Sequence, residues 1–262
     1  MARSESSPTF TGTDFHDKFD PSVYFKALCV DSVRNDLVYP SLRCYHDAFQ
    51  SLPFGLSILD YGSGPSVLST ISSATKASEI VLSDYTERNR RALHQWWARD
   101  PDAFDWSSFF SYVVKDLEKE TDSEVIERQE LVRKLIKAVV HCDLTQDPPI
   151  EGGYDQQYDV VIVSLCIATA SQTQTDYRHG VAKLGKLVKP GGMLTIYEAE
   201  RRGIEGYYCV GTTKFRNVCV SNEFVSEAMR DAGFSDISVR QYAATFHDPQ
   251  QIGFMFLTGK KK

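Results

Sequence analysis

Leu59-Asp60-Tyr61-Gly62-Ser63-Gly64-Pro65-Ser66 is the stretch from which the fold of this chain can be read. Residues 57–61 have the short apolar character of a strand, and Gly62 and Gly64 stand where that strand must turn into a helix, expected over 67–74. Glycine at such a turn has no Cβ to keep a ligand away from the backbone. A bare βα turn would show the same two glycines, so the choice falls to residues farther along.

A second strand, 79–83, closes a βαβ unit. Asp84 ends it, about twenty residues after the glycines, where a doubly wound fold places a carboxylate that accepts hydrogen bonds from ribose hydroxyls. That position points to a nucleoside ligand. A dinucleotide is the weaker choice, because the G-x-G-x-x-G/A fingerprint would put Gly or Ala where Val67 stands. S-Adenosylmethionine (SAM) has no pyrophosphate to seat at a helix N-terminus, and Asp60, just ahead of the glycines, suits its cationic amino-acid end. Asp143, in Cys142-Asp143-Leu144 after a later strand, is a candidate acceptor for the adenine amino group. Each acid taken singly would also pass for a surface loop residue.

Helices are expected over 21–28 and 34–51, the second with Val38, Leu42, Tyr45 and Phe49 at helical spacing and Pro40 kinking or restarting it. Residues 87–99 and 118–140 have helical character, and 137–142 overlaps the latter with a strand signal. Residues 158–165, rich in Val and Ile, fit a parallel strand buried on both faces. A helix over 176–188 stops at Lys189-Pro190-Gly191-Gly192 before a strand over 193–198. A helix capped by Ser221 or Asn222 stops at Gly233, and 237–246 with 253–258 close the chain as an antiparallel pair. The alternation predicts an α/β, Rossmann-like fold: a mostly parallel seven-stranded sheet, an antiparallel C-terminal pair and an N-terminal helical lid over 21–51.

With 262 residues, 42% hydrophobic and 24% charged, the chain can build a sizeable core. No repeat or Pro/Gly/Ser-rich linker divides it, so a single domain over 1–262 is expected, with 1–20 flexible. A net charge of -6, with basic residues clustered only at Arg88, Arg90, Arg91 and the terminal lysines, argues against a nucleic-acid partner. The polar first twenty residues do not resemble a signal peptide, and 160–168 is too short to cross a bilayer, so a cytoplasmic monomer with no membrane partner is expected. Cys29, Cys44, Cys142, Cys166, Cys209 and Cys219 show neither C-x-x-C nor zinc spacing; reduced thiols and no metal site are expected.

The chain resembles, nearly end to end, the family containing nicotinamide, phenylethanolamine and indolethylamine N-methyltransferases. The resemblance rests on Phe19-Asp20-Pro21 with Tyr24, the glycine turn, Ser83-Asp84-Tyr85 with Asn89, and Phe104-Asp105-Trp106. It extends to Cys142-Asp143, Leu165-Cys166, Leu187-Val188-Lys189-Pro190-Gly191-Gly192, Tyr207-Tyr208 and Ala232-Gly233-Phe234. The glycine and Pro-Gly-Gly turns are common to SAM methyltransferases; the Phe-Asp-Trp and Asp-Tyr-x-x-x-Asn patterns are narrower. The resemblance implies a SAM site lined by Tyr24, Gly62, Ser63, Gly64, Asp84, Tyr85, Asn89, Asp143 and Leu144, with Ser164 and Leu165 beside it. Tyr85 would pack on the nucleoside and Asn89 would assist Asp84 at the ribose.

It further implies methyl transfer from SAM to a nitrogen of a small molecule, a nicotinamide-like pyridine or a small aromatic or alkyl amine, leaving S-adenosylhomocysteine. Such an in-line displacement needs alignment and exclusion of water, not a covalent intermediate. A pyridine nitrogen has no proton to lose, whereas an alkylammonium must be deprotonated first. Glu198 stands at a strand end where the nicotinamide enzymes carry an acid contacting the substrate amide, and is the candidate catalytic and substrate-binding carboxylate. An exposed strand-end acid, or a partner of Arg201 or Arg202, is the alternative. Tyr24, Tyr207, Tyr208 and Asn217 would complete the acceptor pocket under the lid, with Tyr24 also counted as catalytic.

Three departures from the family pattern bear on the substrate. Ile167-Ala168-Thr169 stands where relatives often place an acid, which disfavours catecholamine-like acceptors. The loop over 201–206 is longer than expected, and Cys29 replaces an aromatic. His247 is a candidate base but is expected to be a surface residue. A non-catalytic SAM-binding regulator would bind SAM without turnover, and an NAD-dependent oxidoreductase would bind a dinucleotide.

Overall fold

The computed structural model describes residues 9–12, 14–244 and 251–262. Among them ten strands form two sheets: β1 (Thr9–Phe10), β2 (Leu56–Tyr61), β3 (Ala77–Asp84), β4 (Ile136–His141), β5 (Tyr158–Ser164), β6 (Val188–Arg201), β7 (Glu205–Val210), β8 (Thr213–Val218), β9 (Phe234–Ala243) and β10 (Gln251–Lys261). The helices are α1 (Asp14–Lys18), α2 (Pro21–Leu28), α3 (Asp31–Val33), α4 (Tyr39–Gln50), α5 (Thr70–Ser73), α6 (Glu87–Trp97), α7 (Ser107–Ser111), α8 (Asp122–Leu135), α9 (Ile167–Ala170), α10 (Gln174–Lys186) and α11 (Asn222–Asp231).

The main sheet has the order β4-β3-β2-β5-β6-β10-β9. The first five strands are parallel, and β10 runs antiparallel between β6 and β9, as expected. Val160, Val161, Ile162 and Val163 of β5 are all buried, which is what a strand covered on both faces requires. Leu42, Tyr45 and Phe49 of α4, with Trp96, Phe110 and Val132, cover one face; Tyr177, Val181 and Leu184 of α10, with Val225 and Met229 of α11, cover the other. The chain leaves β2 toward β3 and β4, then returns to place β5 on its other side. That reversal opens a crevice beyond the carboxyl ends of β2 and β5, where open α/β sheets bind ligands.

Several local expectations are corrected. The 34–51 segment restarts at Pro40, as expected, but its first part is a π-helical turn over Arg34–Val38; Pro40 has no N–H and is accommodated in the first turn of α4. The 67–74 segment is helical only over Thr70–Ser73. The long helix expected over 118–140 is confined to Asp122–Leu135, opened by a Thr121–Glu124 capping box and closed where parallel pairing with β3 takes the chain. Residues 9–10 and 14–18, within the segment expected to be flexible, form β1 and α1. Phe15 and Phe19 stack there, and Phe15 packs on Phe215 at 4.4 Å between ring centroids. The second sheet, β1-β8-β7, is absent from the sequence expectation. Phe246 and His247 lie outside the described residues.

Candidate active site

The glycine turn is shaped by β3. Ser63 N–H donates to the Ser83 carbonyl at 2.9 Å, and Gly64 N–H donates to Asp84 Oδ2 at 2.9 Å. Gly62 has φ +70°, and a Cβ there would lie 2.3 Å from Cys166 Sγ, so the backbone passes where no side chain fits. Asp84 Oδ1 accepts from Thr86 N–H at 2.8 Å, Thr86 Oγ1 at 3.1 Å and Asn89 Nδ2 at 2.9 Å. Thr86 also caps α6 by accepting from Asn89 N–H, so one turn places both Asp84 and Asn89. Burial raises the Asp84 carboxyl against these four bonds.

A cavity of about 1040 Å³ opens at this turn. Tyr24, Gly62, Ser63, Gly64, Asp84, Tyr85, Asn89, Asp143, Leu144, Ser164, Leu165, Glu198, Tyr207, Tyr208 and Asn217 all line it. Asp60 alone among the expected residues lies apart, in an adjoining cavity of about 40 Å³ shared with Tyr24, Ser63 and Ser164. Its Oδ2 accepts from Ser69 Oγ while Oδ1 has no protein partner, and burial pushes its carboxyl up to about 7. Tyr85 lies between His16 at 4.4 Å and His141 at 5.8 Å, centroid to centroid. Asp143 Oδ1 accepts from Thr145 N–H and Oγ1.

Glu198 is not at a strand end. β6 continues to Arg201, and Glu198 pairs with Met255 inside the sheet at 2% exposure, so the exposed-acid alternative is excluded. Its carboxylate accepts from Ala168 N–H at 3.3 Å and Ala199 N–H at 3.1 Å. Burial pushes it up to about 7, with Arg201 drawing it partly back. Tyr24 is held by α2, whose N-cap Asp20 accepts from Ser22 and Val23 N–H. Burial raises the Tyr24 phenol to about 12, so it stays protonated at neutral pH and can donate but not accept a proton. Tyr207 and Tyr208 alternate along β7: Tyr208 stacks on Phe215 at 5.5 Å, while Tyr207 is 43% exposed at the rim under Lys214.

Sequence reasoning missed Phe15, Phe19, Thr169, Arg201 and Gln251, which also line the cavity. For the walls built by β7 and β8 a signal existed: Tyr207–Val210 and Thr213–Val218 are β-prone runs flanking Gly211, which has φ +60°. For Gln251 there was none, because only pairing with Arg201 across β6 and β10 brings it in.

Asp60 Oδ1, Asn89 Oδ1 and Asn217 Oδ1 are buried acceptors without a protein partner. Each such atom costs about 1–3 kcal/mol unless a ligand supplies a donor. Ribose hydroxyls and an ammonium group supply donors, and in a doubly wound sheet they arrive together on a SAM-type ligand. The crevice therefore defines a SAM-dependent methyltransferase. Among the described residues no group of His, Cys, Asp and Glu is placed to hold a metal ion, and no helix is long and apolar enough to cross a membrane.

Comparison with known proteins agrees with that class. Residues 7–262 match the NNMT/PNMT/TEMT family, and the chain belongs to it. It is similar to nicotinamide N-methyltransferase of Sus scrofa, 30% identical over 91% of this chain and 82% of the relative. It is also similar to indolethylamine N-methyltransferase of Oryctolagus cuniculus, 30% identical over 97% of each chain. A glycopeptide N-methyltransferase, MtfA, solved with S-adenosylhomocysteine, shares the fold with a TM-score of 0.56 at 12% identity, over 85% of this chain and 89% of that one.

Proposed function

We propose that the whole chain is one catalytic domain that transfers the methyl group of SAM to a nitrogen of a small molecule bound beside Glu198. The observation that carries this is a buried carboxylate, Glu198, in the same cavity as the Asp84–Asn89 pair and the glycine turn. When bound, SAM supplies an electrophilic methyl group on a sulfonium. Asp84 and Asn89 are assigned to the ribose, Asp60 to the amino-acid end, and Asp143, with Leu144 packed beside it, to the adenine. Tyr24 donates and packs from the lid side. Ser164 and Leu165, at the end of β5, border both ligands; Leu165 is held at φ +53° by its N–H bond to the Tyr197 carbonyl at 2.7 Å.

Glu198, near 7, can exist as a carboxylate at neutral pH and accept a proton from an ammonium or an N–H from an amide. With SAM bound, a nitrogen lone pair held beside Glu198 would take up the methyl group, and any N–H proton displaced would pass to Glu198 or water. Tyr208, Phe19 and Phe254 wall the site against water. Ile167-Ala168-Thr169 follows the Leu165-Cys166 pair where an acid would serve catecholamine-like acceptors, which keeps those acceptors disfavoured. The family match and the catalytic carboxylate speak against a non-catalytic SAM binder. A cytoplasmic location is part of this reading. A monomer acting on a small molecule, without nucleic acid, remains the expected form.

The test is incubation with SAM and a panel of pyridines, tryptamines, phenylethylamines and alkylamines, following S-adenosylhomocysteine by mass spectrometry with Glu198→Ala alongside. Turnover that collapses in the variant supports the assignment. SAM binding without turnover on any acceptor sinks it.

A further inference from the structure

Lys183 stands on α10 between Val181 and Leu184, both fully buried, so its backbone is anchored against the sheet. Its ammonium delivers its three protons to three carbonyls of one loop: Leu144 at 2.9 Å, Thr145 at 3.1 Å and Gln146 at 2.8 Å. Consecutive carbonyls converge on a single point only if the chain curls around it, and without a cation there their dipoles would repel one another.

This loop is the one that carries Asp143. Cys142, Asp143, Leu144, Thr145 and Gln146 all line the cavity. Among the described residues, every other hydrogen bond of 143–146 stays inside the loop, from the Asp143 N–H on the Pro149 carbonyl to the Thr145 N–H and Oγ1 on Asp143 Oδ1. Lys183 is therefore the polar tie between the loop and the body of the protein. Gly180, one helical turn earlier, makes the apolar tie: a Cβ there would lie 2.7 Å from Leu144 Cδ2, so glycine lets Leu144 lie against the helix. Because Asp143 Oδ1 is bonded to Thr145, whose carbonyl Lys183 holds, the carboxylate follows any movement of that peptide.

We infer that Lys183 is a positioning residue for the nucleobase of the cofactor: its ammonium holds the 144–146 carbonyls so that Asp143 meets the exocyclic amino group and Leu144 packs beside the base. This rests on the assignment of Asp143 and Leu144 to adenine proposed above. The amino group of adenine donates to a carboxylate, whereas the oxo group that replaces it in hypoxanthine is an acceptor and is repelled. A loop held in register reads that difference, and a loop released from Lys183 does not.

The test compares S-adenosylhomocysteine with its deaminated form, S-inosylhomocysteine, by calorimetry on wild type, Lys183→Met and Lys183→Arg, with thermal melting of each protein. In wild type the adenosyl ligand is expected to bind at least about 30-fold more tightly. In Lys183→Met that ratio should fall to within about 3-fold of parity, mainly through lost S-adenosylhomocysteine affinity; Lys183→Arg, which keeps the charge but presents its N–H groups in one plane, should lie between. A lysine that only stabilises the fold would lower the melting temperature or weaken both ligands alike and leave the ratio unchanged, so a wild-type ratio in folded Lys183→Met overturns the proposal. Should Lys183→Met not fold, Lys183→Arg decides in the same way. Absence of discrimination in wild type overturns the adenine assignment of Asp143, and the role of Lys183 with it. Failure of wild type to bind S-adenosylhomocysteine at all overturns the cofactor site itself.

Discussion

Gly64 N–H points at the carboxylate of Asp84, 2.9 Å away, so the turn after β2 is held open by the residue that ends β3. Asp84 thereby serves its own turn, through Thr86 and Asn89, and the neighbouring one at once. Replacing it with alanine strands all four of its donors, each bond to a charged group being worth about 1.5–3 kcal/mol. Asp84→Ala is expected to weaken SAM binding at least about 100-fold by isothermal calorimetry; a dissociation constant close to the parent's would show that the carboxylate is not at the cofactor.

Gly62→Ala meets two obstacles, the left-handed φ of +70° and Cys166 Sγ 2.3 Å from the new Cβ. Strain of this kind costs about 1–3 kcal/mol before any clash, so thermal unfolding should shift down by several degrees and SAM binding should be lost. Adding Cys166→Gly removes the clash but not the strain. The double variant is expected to recover part of the loss in melting temperature, and no recovery would mean that the clash contributes nothing.

For an amine acceptor, kcat/KM should rise as pH increases through about 7, since Glu198 acts in its carboxylate form and burial has raised it to about 7. Glu198→Gln should flatten that limb and lower the rate by about 100-fold or more. A profile with the same inflection in the variant would place the titrating group elsewhere.

Asp60 gives a binding signature. Its carboxyl is raised to about 7 in the fold, so between about pH 4 and 7 the folded chain holds a proton that the unfolded chain has lost, and this group's contribution to stability declines as pH rises through that window. An ammonium group placed beside it restores the charged form. SAM binding is therefore expected to release a proton near pH 6.5 and to tighten as pH rises toward about 7. Calorimetry in buffers of different ionisation enthalpy reads the proton directly, and Asp60→Asn should abolish its release.

Phe215 is the hub of the second sheet, with Phe15, Phe19, Phe10 and Tyr208 around it. Phe215→Ala should cost about 3–5 kcal/mol locally. Because the cluster ties α1 and β1 to the site, the expected readout is rapid proteolysis near residues 14–18 and a raised KM for the acceptor. Unchanged proteolysis would mean that the segment is held by other contacts, such as Arg88 Nη1 on the Asp17 carbonyl at 3.1 Å.

The period-2 and period-3.6 patterns, the glycine turn and the spacing to Asp84 are local properties. They were sufficient for the seven-stranded sheet and for naming residues that, Asp60 apart, line one cavity, because a βα turn places its own side chains through backbone geometry. The acceptor side obeys no such local rule. The strand carrying Glu198 runs past the end that its sequence predicts, since pairing with β10 carries β6 on to Arg201. No local signal joins Phe10 and Phe15 to Phe215, far along the chain, on which both rings pack. Thus the sequence by itself determined the sheet, the cofactor crevice and the family. The tertiary structure decided the protonation tendency of Glu198 and Asp60, the closing of the pocket by β7 and β8, and the meeting of Arg201 with Gln251. The physical reason is that desolvation and long-range pairing depend on what packs against a side chain, and that is set by contacts distant in the chain.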